Sequence, residues 1–521
     1  MANSMKRAFA LVFVVTMVAS GGARSAPSTE DAIDRIRQSD LKADLFTLAG
    51  DEMRGREGGT LDEMTASMWV AERARQAGLQ PAGDNGTYFQ FFPLERYRVS
   101  PSSVVNLGGK ALRMGRDVVP DNTVLADVDA PVVVAQADAL TGVAMTGKAL
   151  VVRYVPPPVA PAGPNPSSPN AASGLRAWLR GIQRAVAAEK PAAIIAIVAD
   201  DSKDQWDRTA YTFPRGTYAL DPDGTAEPRV PVRGVPMLYV KESALGPSTW
   251  LRPGAEGEAR LTASIFTDSF QYPSVNVIAK VPGRDPKLRD EYVLYSAHQD
   301  HDGVRYPVDG PNGKDDIWNG ADDNATTAVA LLAIGRAVVA APGRRSSLFI
   351  WHGSEERGLM GSRWYVKHPT VPLKSIVACL NGDMIGRNDP ETAALLGAVG
   401  PHRNSPELVD IALAANTAVT KFKIDSSWDD PQHREGWYYR SDHLPYARMG
   451  VPALFFTTLL HPDYHTPMDN PDRIDLAKLT RMTKWMYATG RTVADAAKAP
   501  AADPNFKLER CRDFTGDYCA K

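Results

Sequence analysis

Apolar positions follow three textures along the chain. Over residues about 30–82 they recur at spacings of three and four (DAIDRIRQSDLKADLFTLAGDEM, then TLDEMTASMWVAERARQAGL), which predicts two amphipathic helices, the second stopped by Gly78. A short loop, PAGDNGTYFQFFPL, is expected next. From about Val124 to Phe266 short β-like runs take over: ALVVRYV, AAIIAIVAD and VPMLYV. Between the first two lies PPPVAPAGPNPSSPNAASG, too rich in proline for a regular helix. This predicts a β-rich insert carrying a long loop.

From about Tyr272 strands and helices alternate. NVIAKVPG, EYVLYSAH, SSLFIWHG, SIVACLNGDM and VPALFFTT read as strands. ATTAVALLAIGRAVVAA, GSRWYVKH, PELVDIALAANTAV and LAKLTRMTKWMYATGRTVADAA read as helices. The expected fold is α/β, with a mixed, largely parallel central sheet flanked by helices. The expected division is a signal at 1–26, the N-terminal part of the main domain at 27–123, the insert at 124–266, the catalytic part at 267–497 and a tail at 498–521.

The signal rests on Lys6 and Arg7 followed by an apolar run, Ala8 to Ala19, and then SGGARSA. A dozen apolar residues fall short of the ~20 that span a bilayer and suit a secretory signal. The other readings are an N-terminal anchor or a buried helix. Cleavage between about Ser20 and Ala26 would leave a periplasmic or secreted protein with no membrane attachment. Of three cysteines, Cys511 and Cys519 could pair in such a compartment, and Cys379 in IVACLNGD reads as a buried thiol. None has the spacing of a zinc or redox pair. With 61 acidic and 59 basic residues in 521, the net charge is −2. That balance excludes the basic excess of a nucleic-acid binder and the profile of an acidic disordered chain.

Chemistry collects where the α/β pattern places it, at the carboxyl ends of strands. EYVLYSAH ends in His298, with Asp300 two residues on. NGADDNATTA carries Asp322 and Asp323; SSLFIWHGSEERGLMGS carries Glu355 and Glu356; SIVACLNGDMIG ends in Asp383; DYHTPMD holds His465. Two histidines and three carboxylates suit a pair of divalent metals sharing a carboxylate. A further carboxylate is needed to move the proton of the attacking water, and an adjacent Glu-Glu pair can divide ligation from base catalysis. Asp300 is expected to hydrogen-bond the distal nitrogen of His298.

AHQD, GADDNAT, SEERGLMGS, NGDMIG and YHTPMD, in this order, resemble the co-catalytic di-zinc exopeptidases, the family of bacterial leucyl aminopeptidase, glutamate carboxypeptidase and glutaminyl cyclase. LAGDEMRGREGGT and AGLQPAGDNGTYFQ look like that family's N-terminal part, and the insert resembles a protease-associated domain more weakly. The resemblance implies two zinc ions per chain. Asp323 would bridge them, Glu356 and His465 would hold one, and His298 and Asp383 the other. Glu355 would be the general base. Thr326-Thr327 stand where the family often has Ser-Gly, which touches helix packing and not ligation. The implied activity is aminopeptidase action on peptides through a metal-bridging hydroxide. A dipeptidase or carboxypeptidase, a single-zinc glutaminyl cyclase and a non-catalytic binding module are the rival readings.

Other polar groups receive plainer expectations. Asp322 reads as a helix cap or a support behind a ligand. His301 is set aside as a ligand because His465 fills that role. His461 and His465 have zincin spacing, but Pro462 and a missing Glu argue against that helix. Ser441-Asp442-His443 lacks a GxSxG elbow and is expected to support the site. WDDPQHREGWYY is either a pocket wall or a packed surface loop.

Overall fold

The computed structural model describes residues 32–156, 171–202, 206, 210, 213, 215–220, 232–310, 313–433 and 435–508. The expected signal, most of the proline-rich stretch and the Cys511/Cys519 pair lie outside them.

The main sheet has ten strands among the described residues. At its centre Tyr292–His298 lies parallel to Ser346–His352 on one side and to Ile376–Gly382 on the other, and Ile376–Gly382 is parallel to Ala453–Thr457. Their sequences are continuous apolar runs because both faces are covered, which removes the in–out alternation of a half-exposed strand. The almost wholly buried helix Thr326–Ala340 lies on one face, with Gln38–Leu48 and Leu476–Asp495 packed beside it. Met360–Lys367 and His443–Arg448 cover the other. The sheet is mixed: Thr267–Val281 runs antiparallel to Ser346–His352.

Thr267–Val281 also pairs with Phe89–Val99, where the sequence suggested a loop through Leu94. Inward and outward positions alternate from Phe89 to Leu94, a period-two signal that Pro93 obscures. Pro93 sits opposite Pro273. In an antiparallel ladder, facing residues exchange both N–H bonds or neither, so two prolines can share a non-bonded pair without losing a donor.

The insert forms a second, eight-stranded sheet with its own apolar core. It begins at Val104, ahead of the expected boundary at 124, because Val104–Leu107 pairs with Glu256–Ile265 and Val118–Pro120 pairs with Met237–Lys241. Four of its strands (Ala126–Ala135, Ala149–Arg153, Ala193–Val198 and Met237–Lys241) are parallel neighbours. One segment of the insert leaves it: Thr217–Leu220 pairs with Phe89–Val99 at the edge of the main sheet.

Candidate functional site

All seven residues singled out in the sequence gather at the carboxyl ends of the central strands. His298 is the last residue of its strand. Asp323 lies in the turn Ala321–Ala325 that leads into the helix Thr326–Ala340. Glu355 and Glu356 form a short turn after Ser346–His352, Asp383 follows Ile376–Gly382, and His465 comes from the loop after Ala453–Thr457.

Two donor sets result, one of His298, Glu355 and Asp383, the other of His301, Asp323, Glu356 and His465. The Asp323 carboxylate joins them. Its Oδ1 lies 3.2 Å from His298 Nε2, and its Oδ2 lies 3.1 Å from His465 Nε2. On the first side His298 Nε2 is 3.5 Å from Asp383 Oδ2 and 3.9 Å from Glu355 Oε2. On the second, His465 Nε2 is 3.1 Å from Glu356 Oε2. Several of these buried atoms have no hydrogen-bond partner: His298 Nε2, His465 Nε2, Asp383 Oδ1 and Glu356 Oε1. Buried polar atoms are rarely left unpaired, and nitrogen and oxygen donors that converge without bonding one another fit divalent ions.

Charge follows the same division. Burial by itself would lower His298, but Glu355, Asp383 and Asp323 lift it well above its ordinary value. His465, likewise opposed by burial, is raised to about 9 by Glu356 and Asp323. Burial would raise Glu356, yet His465 and His301 hold it well below the usual carboxylate range. Glu355 goes the other way: burial raises it, with Asp442, Asp383 and Glu356 adding, against the pull of His298. A carboxylate lifted toward neutrality within the first donor set suits a group that takes and returns a proton.

Asp300 differs from expectation. Its carboxylate is 3.7 Å from His298 Nδ1, beyond a hydrogen bond, and the nearer contact of that nitrogen is the Asp300 carbonyl at 3.2 Å. The two carboxylate oxygens instead accept the backbone N–H groups of Glu355 (2.9 Å) and Glu356 (3.3 Å). The turn after the next strand exposes two N–H groups that claim the carboxylate. Asp300 therefore aims the Glu-Glu pair as well as neighbouring the histidine.

Among the further supports, Ser441 and Asp322 were expected in that part, whereas Asp469, Asp302 and Glu63 had no role assigned from the sequence. Asp469, last residue of the YHTPMD stretch, accepts the backbone N–H of Asp322 and of Asp323 at 3.0 and 3.1 Å and so fixes the bridging turn. Ser441 donates to Asp383 Oδ2 at 2.8 Å. Asp302 sits 3.9 Å behind His465 Nδ1 and is paired with Arg357 and with Arg215, the latter beside the insert's edge strand. Glu63, on the helix Leu61–Gln76, accepts from Ser354 N and Ser274 Oγ and anchors the approach to the Glu-Glu turn. Asp322 is wholly buried, with its Oδ1 accepting from Gly386 N at 2.7 Å. Trp437, Tyr438 and Tyr439 are core residues packed on Leu359, Met384 and Phe455. One edge does face the site: Arg440 stacks over Trp437 and donates to the Tyr464 hydroxyl, and the Tyr464 ring stacks on His465. The signal for most of these was adjacency to a ligand, which identifies no partner.

Known proteins resemble this chain in sequence and in fold. Over 237 residues the chain is 28% identical to a probable leucine aminopeptidase of Arthroderma otae, covering 44% of this chain and 59% of that one. Over 202 residues it is 27% identical to aminopeptidase YwaD of Bacillus subtilis, covering 35% and 42%. The chain thus spans less than two thirds of these relatives. Among solved structures, a zinc aminopeptidase from Bacillus subtilis superposes with a TM-score of 0.54 at 17% identity, over 93% of this chain and all of that one. An aminopeptidase from Aneurinibacillus sp. strain AM-1 does so with 0.53 at 16%, over 93% and 99%. At such identities these two speak for the fold. The sequence model described as peptidase family M28 matches residues 276–490, the span that holds both donor sets. That match covers 215 of the 521 residues, so it is residues 276–490 that are similar to peptidase family M28.

Proposed function

We propose that this protein is a zinc-dependent exopeptidase, acting as an aminopeptidase that removes N-terminal residues from peptides. The observation that carries the reading is the Asp323 carboxylate, one oxygen turned to each donor set, with Glu355 beside them. His298, Asp383 and Asp323 would hold one zinc, and Asp323, Glu356 and His465 the other. Bound there, the ions supply a water of lowered pKa and Lewis-acid charge for the scissile carbonyl. Glu355 accepts the proton of the attacking water and returns it to the nitrogen of the departing amine as the C–N bond breaks. Asp300 keeps Glu355 and Glu356 in register through their backbone N–H groups. The aminopeptidase choice over the carboxypeptidase and dipeptidase alternatives is supported by the relatives, which are named as aminopeptidases. The basic and then apolar sequence over residues 6–19 supports a working location in the periplasm or outside the cell. Metal analysis paired with a substrate panel tests the reading: close to two zinc ions per chain and cleavage of amino-acid anilides are expected. One zinc per chain, or cleavage confined to N-blocked peptides, would overturn it.

A further inference from the structure

His301 stands among the residues of the second donor set without a role in the mechanism above. It is fully buried, and neither ring nitrogen has a hydrogen-bond partner. Buried His352 meets Asn276 Oδ1 and the Tyr446 hydroxyl, each at 3.2 Å, whereas His443 and His461 share the unpartnered state of His301 and lie outside the two donor sets. His301 Nδ1 instead points into the metal-binding cluster. It lies 2.8 Å from Glu356 Oε1 and 4.0 Å from Asp323 Oδ2, and its ring stands edge-on to His465.

The 2.8 Å contact has the length of a hydrogen bond but not its alignment, since both atoms remain unsatisfied. Two ligands of one zinc ion at about 2.0–2.2 Å are separated by roughly 2.9–3.4 Å, depending on whether they subtend a right or a tetrahedral angle. The His301–Glu356, His465–Glu356 and His465–Asp323 separations of 2.8, 3.1 and 3.1 Å fall at or close to that range. Glu356 meets a different histidine with each oxygen, as a carboxylate placed between two imidazoles on one ion would.

The chain also clears space for this ring. Gly320 packs against it, and a Cβ there would lie 2.3 Å from His301 Cγ. Arg56 holds the backbone on both flanks, accepting from His301 N and donating to the carbonyls of Gln299 and Gly320.

We propose that His301 is a nitrogen ligand of the metal held by Asp323, Glu356 and His465. Four protein residues then close that position, while the His298–Asp383 position keeps room for water or substrate. This division matches the difference between a closed, retained zinc and an open one. It rests on the two-metal reading above, and the test separates the two.

X-ray absorption of the zinc-loaded wild-type protein counts imidazoles directly. Three imidazoles shared between the two ions are expected, and two would overturn the proposal. Titration of the metal-free protein with zinc, against a competing chelator, supplies a second readout. His301→Gln keeps an N–H donor for Glu356 but is a poor zinc ligand. It should weaken the tighter site by more than about 100-fold, beyond what an outer hydrogen-bond partner contributes. Two sites of unchanged affinity in His301→Gln would refute the ligand role and leave the two-metal reading intact. A wild-type protein that takes up no zinc would instead defeat that reading itself. The absorption measurement needs no variant, so a misfolded substitution leaves the proposal open to refutation.

Discussion

Replacing Asp300 by alanine separates what its carboxylate contributes to folding from what it contributes to catalysis. The substitution leaves the N–H groups of Glu355 and Glu356 without their acceptor in a buried place. Each unsatisfied donor costs about 1–3 kcal/mol, so the loss is roughly 2–6 kcal/mol. An opposing term comes from the carboxylate. Burial raises Asp300 from 3.8 to about 6. At about pH 7 its ionisation in the metal-free fold therefore costs about 3 kcal/mol, at 1.36 kcal/mol per pKa unit. Alanine removes that cost, and the net effect falls between about 1 kcal/mol of stabilisation and 3 kcal/mol of destabilisation. The sign varies with pH. A group raised in the folded state contributes fully below its unfolded pKa and loses that contribution as pH rises through the folded value. The metal-free wild type should lose stability between about pH 4 and 7. Metal-free Asp300→Ala should lose less over that range and compare worst with wild type at the acid end. Urea titration of chelator-stripped protein at both ends measures this. Catalysis receives no such offset, because the Glu-Glu turn has lost its anchor. With zinc present, turnover or zinc affinity should fall by about 10–100-fold. A zinc-loaded Asp300→Ala within about threefold of wild type in both would refute the assigned role, well short of that expected loss.

The remaining predictions concern the base, the bridging turn and proton–metal competition. Glu355→Gln should keep its zinc and lose about 10²–10⁴ in turnover on an amino-acid anilide, the usual contribution of a general base; retained activity would remove it from that role. Gly320 has φ +53°, and a Cβ would lie 2.2 Å from the Asp323 carbonyl oxygen. Gly320→Ala should therefore lower the melting temperature in calorimetry and weaken zinc binding, by at least about 2 kcal/mol in stability from the backbone conformation and the clash together. Raised by Glu356 and Asp323 against burial, His465 titrates near 9 and must lose its proton to bind metal. Zinc affinity, followed by chelator competition, should climb with pH from about 6 and level off only as pH approaches 9; a flat profile would contradict the proton exchange.

Most of the main domain was legible because its signals are local. The five strands read as buried apolar runs and the helices read by their three-four spacing occur where the pattern put them, except that the first helix is confined to Gln38–Leu48. Strand ends then located the site residues, since an α/β sheet brings them to one edge. What failed depended on partners distant in sequence. Phe89–Val99 reads as a loop until its pairing with Thr267–Val281 is known. Val104–Leu107 belongs to the insert only through Glu256–Ile265. Asp300 and His301 reveal the same limit within the site. The spacing from His298 to Asp300 suggested a side-chain bond to the histidine, but the acceptor was claimed by the turn after another strand. His301 looked redundant when ligands were counted by motif, and it becomes notable only when its ring is placed 2.8 Å from Glu356.

The net charge of −2 hides a local imbalance that explains why the site is arranged in two halves. Four carboxylates (Asp323, Glu355, Glu356 and Asp383) face three imidazoles in the two donor sets. With neutral imidazoles, as metal ligation requires, the cluster carries four negative charges in a nearly dry place, and two divalent cations match that charge in number. Without them, protons must serve, and the titration pattern is what such substitution produces. Burial raises Glu355 and Asp383, while the carboxylates around His298 and His465 drive both upward. Among the described residues the arginines nearest the site do not fill the gap, because they are committed around it. Arg56 donates to four backbone carbonyls, and Arg357 pairs with Asp302 and Glu57. Arg440 is held by Tyr464 and Glu435. Had an arginine entered the cluster, it would neutralise one carboxylate and occupy the space of an ion. Keeping guanidinium groups one layer out leaves the inner carboxylates unpaired, and that unpaired charge is the affinity for metal.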